Sequence, residues 1–257
     1  MIHEIQEGYV KVEPKSGITT IEFFHPQSNA LPAAILNELT QEIHIAGLDP
    51  DTKVIVLRSA GDGAFCAGAS LTELMAIDTA EKGKIFFSGF ANVINAMRKC
   101  PKLIIARIHG KCVGGGVGLA AAADYAIALE TADVKLSELS IGIGPFVVGP
   151  AIERKLGLSA FSHLAIDATM WRPAPWARRK GLFAELHPNA ENMDESIQRL
   201  ANELARSSAE AIAEMKKMFW KGTEDWDTLL SNRAAVSGKL VVSTHTKAAL
   251  EKLKTRV

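Results

Sequence analysis

The chain has 257 residues, enough for one large domain or a domain with an appendage, and for a sizeable buried core. Lys+Arg and Asp+Glu each number 29, so no net field draws the chain to nucleic acid or an anionic membrane, and an acidic ligand needs a local basic patch. Three cysteines without paired spacing (Cys66, Cys100, Cys112) and scattered histidines point to a reducing, cytoplasmic setting and argue against a disulfide framework or a structural metal. No secretory signal pattern opens the chain, and its apolar runs are too short or too broken by Gly and Pro to span a bilayer, so no membrane partner is expected.

In chain order, a β-rich run at Ile18 to Phe24 is followed by a helical pattern at Pro32 to Ala46 and a strand at Val54 to Ser59. The segment Gly63-Ala64-Phe65-Cys66-Ala67-Gly68-Ala69-Ser70-Leu71 then forms a small-residue turn leading into a helix at Leu71 to Met75. A long helix is predicted around Thr79 to Lys99 and a strand at Leu103 to Ile108. Next comes a second small-residue turn, Gly110 to Gly118, opening the alanine-rich helix Leu119 to Ala123. Strands at Tyr125 to Leu129 and Val134 to Leu136 precede the turn-rich passage Ile141 to Pro145. From about Asp194 the pattern is helical, with Ile197, Leu200 and Leu204, then Ile212, Met215 and Phe219, at helical spacing. The prediction is an α/β core over 1–193 with a helical region over 194–257. Trp220 and Trp226 read as packing residues. The basic clusters Arg178-Arg179-Lys180, Lys216-Lys217 and Lys252 to Arg256 read as solvated faces.

The chemistry concentrates in the two glycine turns and one carboxylate. Consecutive glycines at a helix start let an anion approach backbone N–H groups that lack intrahelical acceptors, although a tight turn alone would also use them. Two such turns brought together can each aim one N–H at a common oxygen, an oxyanion hole for an enolate derived from a thioester. Glu138 stands in a mainly apolar passage. It is either a surface loop residue or, if buried, a carboxyl whose raised pKa suits it to accept and donate protons near neutrality. A dinucleotide fingerprint at Gly116 to Ala121 is disfavoured because Gly110 to Val113 separate the glycines from the strand. No Gly-Lys-Ser/Thr follows the glycines, and no G-x-S-x-G elbow is present.

These segments, with Pro26-Gln27-Ser28-Asn29-Ala30-Leu31, Asp124 downstream of the glycines, and Glu138 ahead of Pro145, resemble the crotonase, or enoyl-CoA hydratase/isomerase, superfamily over nearly the whole chain. The resemblance implies a spiral of repeated ββα units, C-terminal helices that build homotrimers often paired into hexamers, and an acyl-CoA substrate with no separate cofactor. It places the oxyanion-hole N–H groups on Ala69 and Gly115, flanked by Gly68 and Gly114, and sets Ala30, Cys66 and Ala67 along the CoA path. The departures bear on the reaction. Hydratases of the family have a second glutamate two residues after the last glycine of the triad, where Gly118 stands here. Syn hydration ordinarily uses both acids, whereas a double-bond shift needs only one base, so the expectation is an enoyl-CoA isomerase using Glu138. A hydratase, a decarboxylase and a non-catalytic acyl-CoA-binding protein are the alternatives, and Glu73 is a candidate substitute for the missing acid. Ser70 stands where Asp is usual, and Phe146-Val147-Val148-Gly149-Pro150 replaces a glycine-rich run, adding bulk beside the acyl pocket.

Overall fold

A computed structural model of the chain describes residues 8–254. The last residues of the basic cluster Lys252 to Arg256 lie outside that range. Strands β1 (Tyr9–Lys15) and β2 (Ile18–Phe24) form an antiparallel hairpin whose two-residue turn, Ser16 and Gly17, has both φ angles positive (51° and 82°). The chain then alternates between a large and a small layer of strands. The first repeat adds β3 (Ala30–Leu31) and α1 (Ala33–Leu48), and the second adds β4 (Val54–Ser59), β5 (Gly68–Ala69), α2 (Leu71–Ala76) and α3 (Ala80–Lys99). The third is β6 (Leu103–Ile108), β7 (Cys112–Val113) and α4 (Gly115–Ala122). The fourth is β8 (Tyr125–Leu129), β9 (Val134–Lys135), a 3-10 turn at Glu138–Ile141 and α5 (Gly149–Ile166). With α6 (Ala174–Arg179) and β10 (Glu185–His187), the large sheet runs β1-β2-β4-β6-β8-β10, and every pair after the hairpin is parallel. This is the predicted spiral of ββα units.

The central strands β4 and β6 are buried along nearly their whole length, which is why they read as continuous apolar runs rather than alternating ones. On one face α1 and α3 cover the sheet. On the other lies α7 (Ala190–Ala205), which sets Met193, Ile197 and Ala201 on Val54, Val56, Ile105 and Ile127. The position 193/194, expected to separate core from appendage, therefore falls inside a helix that covers the sheet. Helices α8 (Ala209–Phe219), α9 (Trp226–Val241) and α10 (Thr244–Lys254) follow. Helix α9 crosses α3 closely enough that a Cβ on Gly83 would lie 2.7 Å from the Cα of Gly238. From α10, Thr246 Oγ1 donates to Gly142 O at 3.1 Å, tying the C-terminal region to the 3-10 turn.

Asp124 anchors α8 to the sheet. Its carboxylate accepts from Ile104 N (2.8 Å), Trp220 Nε1 (3.4 Å) and the Lys216 ammonium (2.9 Å), which also donates to Lys102 O at 2.7 Å. Lys216 is thus buried, unlike the solvated reading of its cluster, while Lys217 beside it pairs with Glu214 in solvent. Both partners of the Lys216–Asp124 pair are almost fully buried, so removing one strands the other's charge. Lys216→Met is expected to cost about 3–5 kcal/mol in urea unfolding, with much of the loss recovered by adding Asp124→Asn. A single-variant loss below about 1 kcal/mol would contradict this account and equate the pair with an exposed one.

Candidate active site

The short strands bring the two glycine turns together. Leu31 pairs with Ala69 in the β3–β5 ladder, Cys112 pairs with Val134 in the β7–β9 ladder, and a parallel bridge between Cys66 and Cys112 joins the two ladders. Ser70 N–H donates across the first ladder to Leu31 O at 3.0 Å, so the preceding N–H, that of Ala69, faces the opposite edge. That edge adjoins the first turn of α4: a Cβ on Gly68 would lie 3.6 Å from Gly115 N. Gly115 opens α4, where the first N–H groups have no intrahelical acceptor. The preceding Gly114, at φ 52° and ψ −112°, takes a backbone conformation that side chains disfavour, and a Cβ on Gly115 would lie 2.2 Å from the ring of Phe90. These two glycines let the backbone come to the edge of a cavity of about 340 Å³.

Glu138 begins the 3-10 turn and faces the same cavity. Part of the residue stays accessible, but its Oε2 is fully buried and has no hydrogen-bond partner in the protein. Burial pushes its carboxyl up to about 7 from an ordinary 4.5, and a hydrogen bond from its own backbone N–H offsets only part of that. Its Oε1 lies 2.9 Å from where a Cβ of Gly114 would stand, so the carboxylate packs directly against the Gly114 turn.

Of the residues singled out in the sequence, Glu138, Ala69, Gly115, Ala67, Gly68 and Gly114 line this one cavity. Ala30 and Cys66, expected along the CoA path, do not. Ala30 is held in the β3–β5 ladder, and Cys66 is fully buried behind the wall, its sulfur accepting from Gly68 N at 3.4 Å. Glu73, the candidate substitute acid, does not line the cavity, and its Oε2 accepts from Ala33 N at 2.8 Å. Glu138 is the one carboxylate among the described residues that line the cavity. Ser70 caps α2 by accepting from Glu73 N at 3.4 Å, so it is spent on the helix start.

Position 118 is buried and filled. A Cβ there would lie 2.6 Å from Val148 Cγ1, so the direction a longer side chain would take is already occupied. Val148 lines the cavity with Phe146 and Val147, which places the bulk expected from that segment on the cavity wall. The two departures are one feature in space. Sequence reasoning missed Ser237, a cavity residue from α9, because nothing near it in the chain marks it. The described residues contain no cluster able to hold a metal ion and no helix long and apolar enough to cross a membrane.

Strand spiral, paired backbone donors and lone buried carboxyl together describe a crotonase-type site. A match to the enoyl-CoA hydratase/isomerase family covers residues 13–254, and the chain belongs to that family. It is 30% identical to a probable enoyl-CoA hydratase of Rhodobacter capsulatus, over 83% of this chain and 81% of that protein. It is also 34% identical to a (7aS)-7a-methyl-1,5-dioxo-2,3,5,6,7,7a-hexahydro-1H-indene-carboxyl-CoA hydrolase of Rhodococcus jostii, over 52% of each, so this match spans about half the length of that relative. The crystal structure of an enoyl-CoA hydratase from Bacillus halodurans superposes with a TM-score of 0.87 over 95% of this chain and 99% of that one; at 23% identity it shows the shared fold alone.

Proposed function

We propose that the protein acts on an acyl-CoA thioester through an enolate, and that double-bond isomerisation is its reaction. The carrying observation is the single carboxylate of the cavity, buried and unpartnered at Oε2, in one lining with Ala69 and Gly115, whose N–H groups are read as the oxyanion donors. In this reading the thioester oxygen of a 3-enoyl-CoA lies between the N–H groups of Ala69 and Gly115. Glu138 takes a proton from Cα, and the electron pair of that C–H bond delocalises onto the thioester oxygen, where the two donors stabilise it. The same carboxylic acid returns the proton to Cγ, the double bond moves into conjugation, and Glu138 is a carboxylate again. Hydration would need a second acid to handle water, and Val148 fills the space beside Gly118 where one would project.

Proton abstraction requires ionised Glu138. With its carboxyl near 7, kcat/KM should rise with pH through about 7 and level off above it. A rate already flat from about pH 5 upward would remove Glu138 as the base.

The experiment that tests the function offers matched 2-enoyl- and 3-enoyl-CoA substrates in deuterated buffer. Double-bond migration with deuterium at Cα and Cγ supports the proposal. Accumulation of 3-hydroxyacyl-CoA at a comparable rate would make the protein a hydratase, release of free CoA a thioester hydrolase, and binding without exchange a non-catalytic acyl-CoA-binding protein. A homotrimer or hexamer also remains a proposal; it is supported by the exposed apolar Met215, Met218 and Phe219 of α8 and is tested by light scattering.

A further inference from the structure

We infer that the apolar end of the cavity recognises a neutral hydrogen-bonding group, a hydroxyl or an oxo oxygen, on the acyl chain, with the Ser237 hydroxyl as its partner. This rests on the reading of the cavity as an acyl-CoA site. Ser237 is only 1% exposed, yet it lines the cavity. Other hydroxyls inside helices of this chain have partners: Thr40 and Ser88 turn back onto Leu36 O at 2.8 Å and Lys84 O at 2.7 Å, and Ser196 donates to Glu185 Oε2 at 2.6 Å. Ser237 makes no such bond, and no other protein group among the described residues satisfies its hydroxyl.

Its surroundings sharpen the assignment. The other polar side chains of the lining, Lys135, Ser137, Glu138 and Ser140, come from β9 and the turn that follows it. Ser237 instead belongs to the helical wall, where Leu74, Phe87 and Phe90 also line the cavity. One turn further along α9, Val241 packs with Leu74, Phe86 and Ile143. A hydroxyl open to the cavity is satisfied by water until a ligand displaces that water, and an apolar ligand group would then leave it unpaired, so a hydroxyl held on an apolar wall favours a ligand that offers a hydrogen bond there. No cationic side chain lines this helical wall, which favours a neutral polar substituent over a carboxylate.

The test is calorimetric binding of a short homologous series of ω-hydroxyalkyl-CoA thioethers and their alkyl counterparts to the wild type, S237A and S237T, with no turnover required. The affinity ratio of the best-fitting hydroxyalkyl ligand to its alkyl counterpart should fall about tenfold in S237A, the worth of one hydrogen bond, and be largely kept in S237T. Equal ratios in wild type and S237A throughout the series would overturn the assignment. Failure of both ligand types to bind would overturn it together with the acyl-CoA reading. The expected ratios without deuterium exchange into enoyl-CoA would support the assignment and overturn only the proton-shuttle reading.

Discussion

Glu138→Gln loses α-proton exchange by about 10²- to 10⁴-fold or more and keeps its affinity for CoA thioethers, while becoming more stable than the wild type at alkaline pH. The two halves share one cause. The amide cannot accept the Cα proton, so the proposed shuttle stops, but the Ala69 and Gly115 N–H groups and the cavity walls proposed to hold the thioester are unchanged. On stability, the native carboxyl near 7 binds a proton more tightly than the unfolded chain's carboxyl at 4.5. Native protein therefore carries more bound protons between those values, and stability falls as pH rises from 4.5 through 7. Above that window the wild type bears the full penalty, about 3 kcal/mol at most, whereas the glutamine variant has no such slope. Thermal unfolding at about pH 5 and about pH 8 checks the sign: the gap in favour of the variant should widen with pH. A gap that narrows would mean that the carboxylate is stabilised in the fold, against the burial of Oε2.

Gly118→Glu alone should cripple folding, and Gly118→Glu with Val148→Gly should fold and gain hydration. The single substitution drives a side chain into Val148, 2.6 Å from the Cβ position, and buries a carboxylate among the apolar residues of α4. Overpacking costs roughly 1–3 kcal/mol, and an unpaired buried acid adds to it. Removing the valine side chain opens the cavity in the direction the glutamate needs, giving a second acid at the reacting end. The readouts are the urea midpoint for folding and 3-hydroxyacyl-CoA formation from 2-enoyl-CoA for chemistry. A double variant that folds as well as the wild type yet forms no 3-hydroxyacyl-CoA would show that the missing acid does not set the reaction.

Most of the large sheet was legible. β2, β4, β6 and β8 lie where the runs Ile18 to Phe24, Val54 to Ser59, Leu103 to Ile108 and Tyr125 to Leu129 put them: β4, β6 and β8 are buried over most of their length and write themselves as continuous apolar segments, and β2 alternates buried and half-buried residues in a β-branched and aromatic run. Edge strand β1 was not foreseen: it has no buried residue, and Lys11, Glu13 and Pro14 mask the alternation of Val10 and Val12. Of the second layer, β9 lies within the expected Val134 to Leu136, whereas β3, β5 and β7 were hidden, since two-residue strands have no periodicity to read. At the site, Glu138, Ala69 and Gly115 were legible through the resemblance. The burial that decides between a surface glutamate and a proton carrier is a tertiary property. So is the contact of position 118 with Val148, which joins segments far apart in the chain, and so is the arrival of Ser237 from α9.

The bridge between Cys66 and Cys112 has a consequence for tolerance to change. Ala69 and Gly115 each lie the same number of residues beyond their bridged cysteine, and the bridge, with Val113 N–H donating to Cys66 O at 2.9 Å, holds the two turns side by side through main-chain contacts. Paired strands sit about 4.8 Å apart whatever their side chains are, so the spacing of the two turns at the bridge is set by the backbone. Residues such as Val148, Phe146 and Ser237 hang from other elements. They can be exchanged to admit a new acyl group or a new reaction while the gauge that grips the thioester keeps its setting.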